Sequence, residues 1–203
     1  MDQSHSFRFE CIRCGECCTN SNTIVNVTYF DIKRLKEGLK LTIDELIQVL
    51  GFYVFENEPT EEDKKKMVIS PVQTERGSAF VGLFKKTDGS CYFYNKEGKK
   101  CLIYGIRPMF CRTFPFSFRY LSKDEHQGET EIELLYTEKG KQFCPGIGEN
   151  SPLIDITQWK NIGEQALEEL NRNYFIMQKW NEGVEESKIE PSVKRFLLML
   201  FED

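Results

Sequence analysis

The sequence predicts an α+β chain folded as a single domain, with small antiparallel strands and hairpins, irregular cysteine-rich metal-binding loops and C-terminal helices. Three observations carry this. Short runs rich in β-branched and aromatic residues, split by turn residues, occupy the middle of the chain. From about residue 157 the apolar residues recur at three- and four-residue steps instead. All eight cysteines fall between Cys11 and Cys144, four of them within eight residues, and none in 19–90 or 145–203.

Residues 1–20 form the first cysteine loop. Thr28-Tyr-Phe-Asp31 resembles a capping box with Asp in place of Glu, and it opens a helix with Ile32 and Leu35 on its apolar face and Gly38 at its end. Thr42-Ile-Asp-Glu45 is a second box, opening a short helix that carries Leu46, Val49 and Leu50. Glu56 to Lys66, charged and containing Pro59, reads as an exposed loop or ragged helix. Strand signals follow in Met67-Val-Ile-Ser-Pro-Val, Ala79-Phe-Val-Gly-Leu-Phe and Cys91-Tyr-Phe-Tyr. Asn95 to Gly98 is turn chemistry, so Cys91 and Cys101 are expected to face each other across a hairpin. Ile103 to Cys111 reads as a short turn or helix reoriented at Arg107-Pro108. Phe114 to Tyr120 and Thr130 to Tyr136 read as two strands joined by the polar loop Ser122 to Glu129. Trp159, Ile162, Ala166, Leu170, Tyr174 and Met177 mark a helix over about Thr157 to Asn181, and a last helix runs from Pro191 to about Phe201. No internal repeat or low-complexity linker divides the chain. The expected organisation is a cysteine-cluster region over 1–150 and a helical extension over 151–203 packed on the same domain.

At 203 residues the chain buries a core without disulfide staples. No run approaches the ~18 apolar residues of a membrane span. Met1-Asp-Gln-Ser-His-Ser has neither a basic nor an apolar run, which predicts no secretory leader and a cytoplasmic protein with reduced thiols. Eight reduced cysteines in clusters then favour metal ligation. A net charge of −5 argues against general nucleic-acid binding.

The charge is uneven. Gly98 to Lys123 contains no acid but carries Lys99, Lys100, Arg107, Arg112, Arg119 and Lys123. Arg107 and Arg112 flank cysteines and are read first as compensating a buried thiolate cluster. Lys99, Lys100 and Lys123 are read first as solvated. An anion-binding groove for a substrate is the third reading of the stretch.

Cys11, Cys14, Cys17 and Cys18 form a C-x2-C-x2-C-C run, and Cys91, Cys101, Cys111 and Cys144 follow singly. Two-residue gaps let thiolates converge while loop N–H groups turn towards the sulfurs. Zinc is usually held by paired C-x2-C knuckles, often with His. Here the second half has no such pair, and neither His5 nor His126 has ligand spacing to a cysteine. C-x2-C-x2-C with a distant Cys-Pro is instead an iron–sulfur arrangement. Cys11, Cys14, Cys17 and Cys144-Pro145 fit it, leaving Cys18, Cys91, Cys101 and Cys111 as a second four-thiolate set. The two sets can also mix. The C-x3-C-x2-C loop of radical enzymes, the P-loop, HExxH and the Gx-Ser-x-Gly elbow are absent, so no catalytic residue is named. Gly146-Ile-Gly148 reads as a tight turn. Tyr104 is placed near the site, more often simply packed. The aromatics of Tyr92 to Tyr94 and Phe110 to Phe118 read as a shell that keeps water from a cluster.

The segments Phe9 to Cys18, Val27 to Leu35, Cys101 to Phe116 and Cys144 to Gly148 together resemble the CxxCxxCC cysteine-cluster proteins, the YkgJ type, described as zinc- or iron-chelating. The resemblance implies that Cys11, Cys14, Cys17, Cys18, Cys91, Cys101, Cys111 and Cys144 act as one ligand set, with Arg107 and Arg112 at the site. Relatives include flagellin lysine methylases. The function so implied is a cytosolic iron–sulfur protein, of 4Fe–4S type with one or two clusters. It would serve electron transfer or a modification of a protein partner, methyl transfer from a donor such as S-adenosylmethionine being one form. The alternative is a structural zinc module acting in protein–protein interaction.

Overall fold

The computed structural model describes residues 6–121 and 131–202; His5, His126, Lys123 and the Ser122–Glu129 loop lie outside them. The first helix, α1 (Glu16–Thr19), is a single turn inside the first cysteine loop. Both capping boxes form. Thr28 accepts from Asp31 N and Asp31 from Thr28 N at the start of α2 (Tyr29–Leu39), and Thr42 and Glu45 do the same for α3 (Ile43–Val49). The α2 helix runs past Gly38 to Leu39 and stops at Lys40, whose left-handed backbone closes it. Gly38 instead makes room for Ile106.

Leu50 does not extend α3. It begins β1 (Leu50–Val54), which pairs antiparallel with β3 (Gly77–Leu83). The strand expected at Met67 is confined to β2 (Val72–Thr74), and the three-stranded sheet has the order β1-β3-β2. Pro71 lacks a ladder N–H, so pairing starts only after it. Between β1 and β2 the charged segment resolves into α4 (Glu61–Lys66), capped by Thr60.

The hairpin predicted near Cys91 has a different register. Tyr94–Asn95 (β4) pairs with Lys100–Cys101 (β5), placing Tyr94, not Cys91, opposite Cys101. Cys91 bridges back to Lys85. A 3-10 turn, Tyr104–Ile106, leads to α5 (Met109–Thr113). Then β6 (Phe116–Tyr120) pairs antiparallel with β7 (Ile132–Tyr136), and α6 (Glu138–Phe143), unpredicted, follows.

The long helix α7 (Ile156–Glu185) is capped by Asp155, and α8 (Val193–Met199) by Ser192, one residue beyond Pro191. The α7 helix lies on β6, β7, β2, α2 and α5. Its buried line is Gly163, Ala166, Asn173, Met177 and Trp180, while Tyr174 is half exposed. Polar contacts fix its rotation. Asn173 Oδ1 accepts from Tyr29 N at 2.8 Å, and Trp180 Nε1 donates to the Gln73 carbonyl at 2.9 Å. The core gathers Ile32, Leu35, Leu46, Val72, Trp180, Phe196 and Leu197, so α2, α3, the sheet, α7 and α8 share one interior. No helix among the described residues is long and apolar enough to cross a membrane.

Candidate metal centre

Backbone contacts from four parts of the chain bring the cysteines together. Gly15 has φ 86°, a conformation suited to glycine, and a Cβ there would strike the Tyr94 hydroxyl. The chain therefore turns tightly into α1, which carries Cys17 and Cys18 with their sulfurs 3.8 Å apart. Cys91 N donates to the Cys18 carbonyl at 2.8 Å, seating the second cysteine region on the first. Glu10 N donates to the Gly146 carbonyl at 3.1 Å, and Phe9 pairs with Ile147, so the Cys144 loop lies along the strand leading to Cys11. A Cβ on Gly146 would run into the Glu10 carbonyl, so this approach needs glycine. Cys101 comes from β5 and Cys111 from α5.

Two cavities between them take in all eight cysteines, and a third, of about 430 Å³, is bordered by Cys17 and Cys111 alone of the eight. One, of about 180 Å³, is lined by Cys11, Cys14, Cys17, Cys111 and Cys144, with Arg107, Arg112, Glu10 and Glu16. Phe9, Phe114, Phe143 and Trp159 complete its apolar wall. The other, of about 270 Å³, is lined by Cys11, Cys17, Cys18, Cys91, Cys101 and Cys111, with Arg107. Cys14 and Cys144 line only the first. Cys18, Cys91 and Cys101 line only the second, and Cys11, Cys17 and Cys111 form the wall between them. Among the described residues no three His, Cys, Asp or Glu side chains stand in an assembled coordination sphere.

The electrostatics separate one thiol from the rest. Cys17 is pulled down to about 7 by the hydrogen bond from the Cys18 thiol, helped by the Arg107 guanidinium. Its neighbour Cys18 is pushed up by donating that bond and by burial. Burial raises Cys91, Cys101 and Cys144, and most of all Cys111. The Arg107 charge lowers Cys101 as well. A bound cation reverses this balance, because it holds its thiol ligands deprotonated. Thiolates are soft donors that select zinc or the irons of iron–sulfur clusters, and this donor set fits either.

Of the two arginines singled out from the sequence, Arg107 lines both cavities, and its Nε donates to the Tyr104 carbonyl at 3.1 Å. Arg112 lines only the first cavity and pairs with Glu169 at 3.4 Å. Tyr104 is not packed away: its ring is 39% exposed, with the guanidinium carbons of Arg107 and Arg13 at 3.8 and 4.6 Å from its centroid. Lys99 and Lys100 are exposed, and Gly146-Ile-Gly148 is a turn region whose Ile147 bridges to Phe9.

Sequence reasoning missed Lys85. Its charge lies close enough to Cys91, Cys18, Cys111 and Cys17 to be felt by all four, and its Nζ donates to the Asn20 carbonyl at 2.8 Å. Its bridge to Cys91 left no motif to read. Phe9, Phe143 and Trp159 were also missed as cavity wall, since only the tertiary fold places them there.

A thiol-lined α+β domain of this kind is a candidate chelator of a soft metal. The chain belongs to the CxxCxxCC family, whose model, described as a candidate zinc- or iron-chelating domain, matches residues 10–145. An uncharacterized protein of Methanocaldococcus jannaschii is 26% identical over 190 residues, covering 93% of this chain and 80% of that protein. That likeness therefore reaches into the helical region beyond the family match. No solved structure matches.

Proposed function

We propose that this chain is an iron–sulfur protein whose eight cysteines hold 4Fe–4S clusters in the two adjoining cavities, working with a protein partner in electron transfer or protein modification. The observation that carries this is the lining of the cavities. Eight thiols from four separate segments reach two hollows that share a wall. Iron–sulfur clusters take thiolate ligands in fours, and the Cys-Pro at 144–145 has the form of a distant fourth ligand.

The surroundings support the reading. Arg107 adjoins both hollows and offsets the negative charge of a thiolate-ligated centre. Phe9, Phe114, Phe143 and Trp159 limit water at the first hollow, which tunes a potential and protects sulfide. The thiols bind, Arg107 balances charge, and the aromatic wall shields one side of the first hollow, whose Cys11 and Cys14 are exposed.

Metal and acid-labile sulfide analysis on anaerobically prepared protein, with its visible spectrum, tests the reading. About eight iron and eight sulfide per chain with broad visible absorption is the expected result. Colourless protein with one or two zinc and no sulfide would replace it with closed structural zinc sites.

A further inference from the structure

The rim of the second cavity is rich in positive charge. Arg13, Lys99, Lys100 and Arg107 all line it, and among the described residues no Asp or Glu does, Glu10 and Glu16 standing in the lining of the first. Among the described residues none of these four cations enters an ion pair. This is unusual in a chain of net charge −5 whose other surface cations are often paired. Arg107 is accounted for by the thiols, since its charge acts on Cys17 and Cys101. Arg13, Lys99 and Lys100 are exposed and remain.

Exposed apolar residues adjoin these cations in sequence. Ile12 and Leu102 are each 58% exposed, and each is sequence neighbour to a cysteine that lines the cavity. Tyr104 lies beside them, with both arginines against its ring. Arginine, tyrosine and exposed aliphatic groups together are the composition of a protein-binding surface, whereas polyphosphate uses only the charge.

We infer that Ile12, Arg13, Lys99, Lys100, Leu102 and Tyr104 form a docking face for an acidic protein, one presenting carboxylates around an apolar centre. The inference rests on the reading that this chain works with a protein partner, and holds whichever metal the thiols bind. Docking here covers the mouth of the second cavity, next to Cys101. The chain's net negative charge lies outside this face, which steers an acidic molecule towards it.

Fluorescence anisotropy on the metal-loaded protein tests it. The probe is a labelled peptide of Glu interspersed with Leu and Phe, with the same peptide carrying Lys for Glu and a single-stranded RNA as comparisons. The acidic peptide is expected to bind at least about tenfold tighter than either comparison, and more weakly as salt rises. Lys100→Glu should weaken it by about tenfold and Leu102→Ser by about threefold, each compared with the unaltered protein at equal metal content. Equal binding of the Lys peptide, equal or tighter binding of RNA, or unaltered binding by both variants would overturn the docking face. The metal reading fails separately, through the sulfide analysis.

Discussion

Asp31 Oδ1 accepts a hydrogen bond from Met109 N at 2.8 Å, although 78 positions separate the two residues. The same carboxylate closes the capping box of α2 and pairs with Arg34, which reaches on to Glu169 of α7 at 2.8 Å. One fully buried side chain thus caps its own helix and holds the first residue of α5, which carries Cys111 and Arg112. Glu169 in turn faces Arg112. Position of the Cys111 helix is therefore set by charge and hydrogen bonding across α2, α5 and α7.

Replacing Asp31 tests this arrangement. Asp31→Ala leaves Arg34 short of a partner and two backbone N–H groups unanswered, an expected loss of about 3 kcal/mol in chemical denaturation. Asp31→Asn keeps one acceptor and should lose about half as much. In both, metal bound per folded chain should fall, because α5 carries a thiol shared by both cavities.

Gly146→Ala should act locally instead. The added methyl meets the Glu10 carbonyl, a backbone atom that cannot swing aside. The Cys144 loop must then leave the Cys11 strand, at about 2 kcal/mol. The expected signature is loss of metal from the first cavity with the midpoint of core unfolding little changed, read by metal analysis beside circular dichroism.

Local chemistry was the legible part of this chain. Thr28 with Asp31 and Thr42 with Glu45 satisfy helix N–H groups within four residues, so the boxes needed no tertiary context. The cysteine spacing of 11–18 was equally local. Cys91 was misplaced because the turn at Asn95 to Gly98 says where a hairpin reverses but not how far its pairing extends, and pairing stops at Tyr94. On α7, Tyr174 belongs to the apolar period that marks the helix and Asn173 does not, yet Asn173 is buried and Tyr174 half exposed. An apolarity pattern gives no weight to an amide whose burial is repaid by Tyr29 N. Asp31 was legible as a cap but not as the clamp on α5, and the convergence of two cysteine regions through Cys91 N and the Cys18 carbonyl had no sequence signal.

Trp180→Ala separates stability from metal binding. The Trp180 side chain is 1% exposed, packs edge-on against Phe196 and ties α7 to Gln73 of β2. Removing it opens a cavity and orphans the Gln73 carbonyl, at about 4 kcal/mol. Thermal unfolding should show the loss, while metal per folded chain stays as in the unaltered protein because Trp180 lines neither thiol cavity.

In metal-free, reduced protein Cys17 should be the half-buried thiol that iodoacetamide finds first near neutrality. Alkylation follows the thiolate fraction. With the Cys17 value lowered from 9.0 to about 7, its rate should climb through pH 7 and level off where an ordinary thiol is still rising. Cys111 and Cys18, both raised, should lag across that range. Arg107→Gln removes one of the charges that stabilise the Cys17 thiolate, so its profile should move to higher pH. Peptide mapping by mass spectrometry reads each site. Equal rates at Cys17 and Cys111 at pH 7 would contradict the charge pattern described.

The division of thiols between the cavities makes the sharpest prediction about iron. Cys144 lines only the first hollow and Cys101 only the second. If each hollow holds its own cluster, Cys144→Ser and Cys101→Ser should each remove about half of the iron and sulfide, and the remaining spectra should belong to different centres. Cys111→Ser is expected to behave differently, because its thiol stands in the shared wall. It should disturb both centres and lower the total below either single loss. Iron and sulfide counted together with the low-temperature resonance spectrum of the reduced protein distinguish the three variants. Identical losses from Cys144→Ser, Cys101→Ser and Cys111→Ser would mean that one centre draws on all of these thiols.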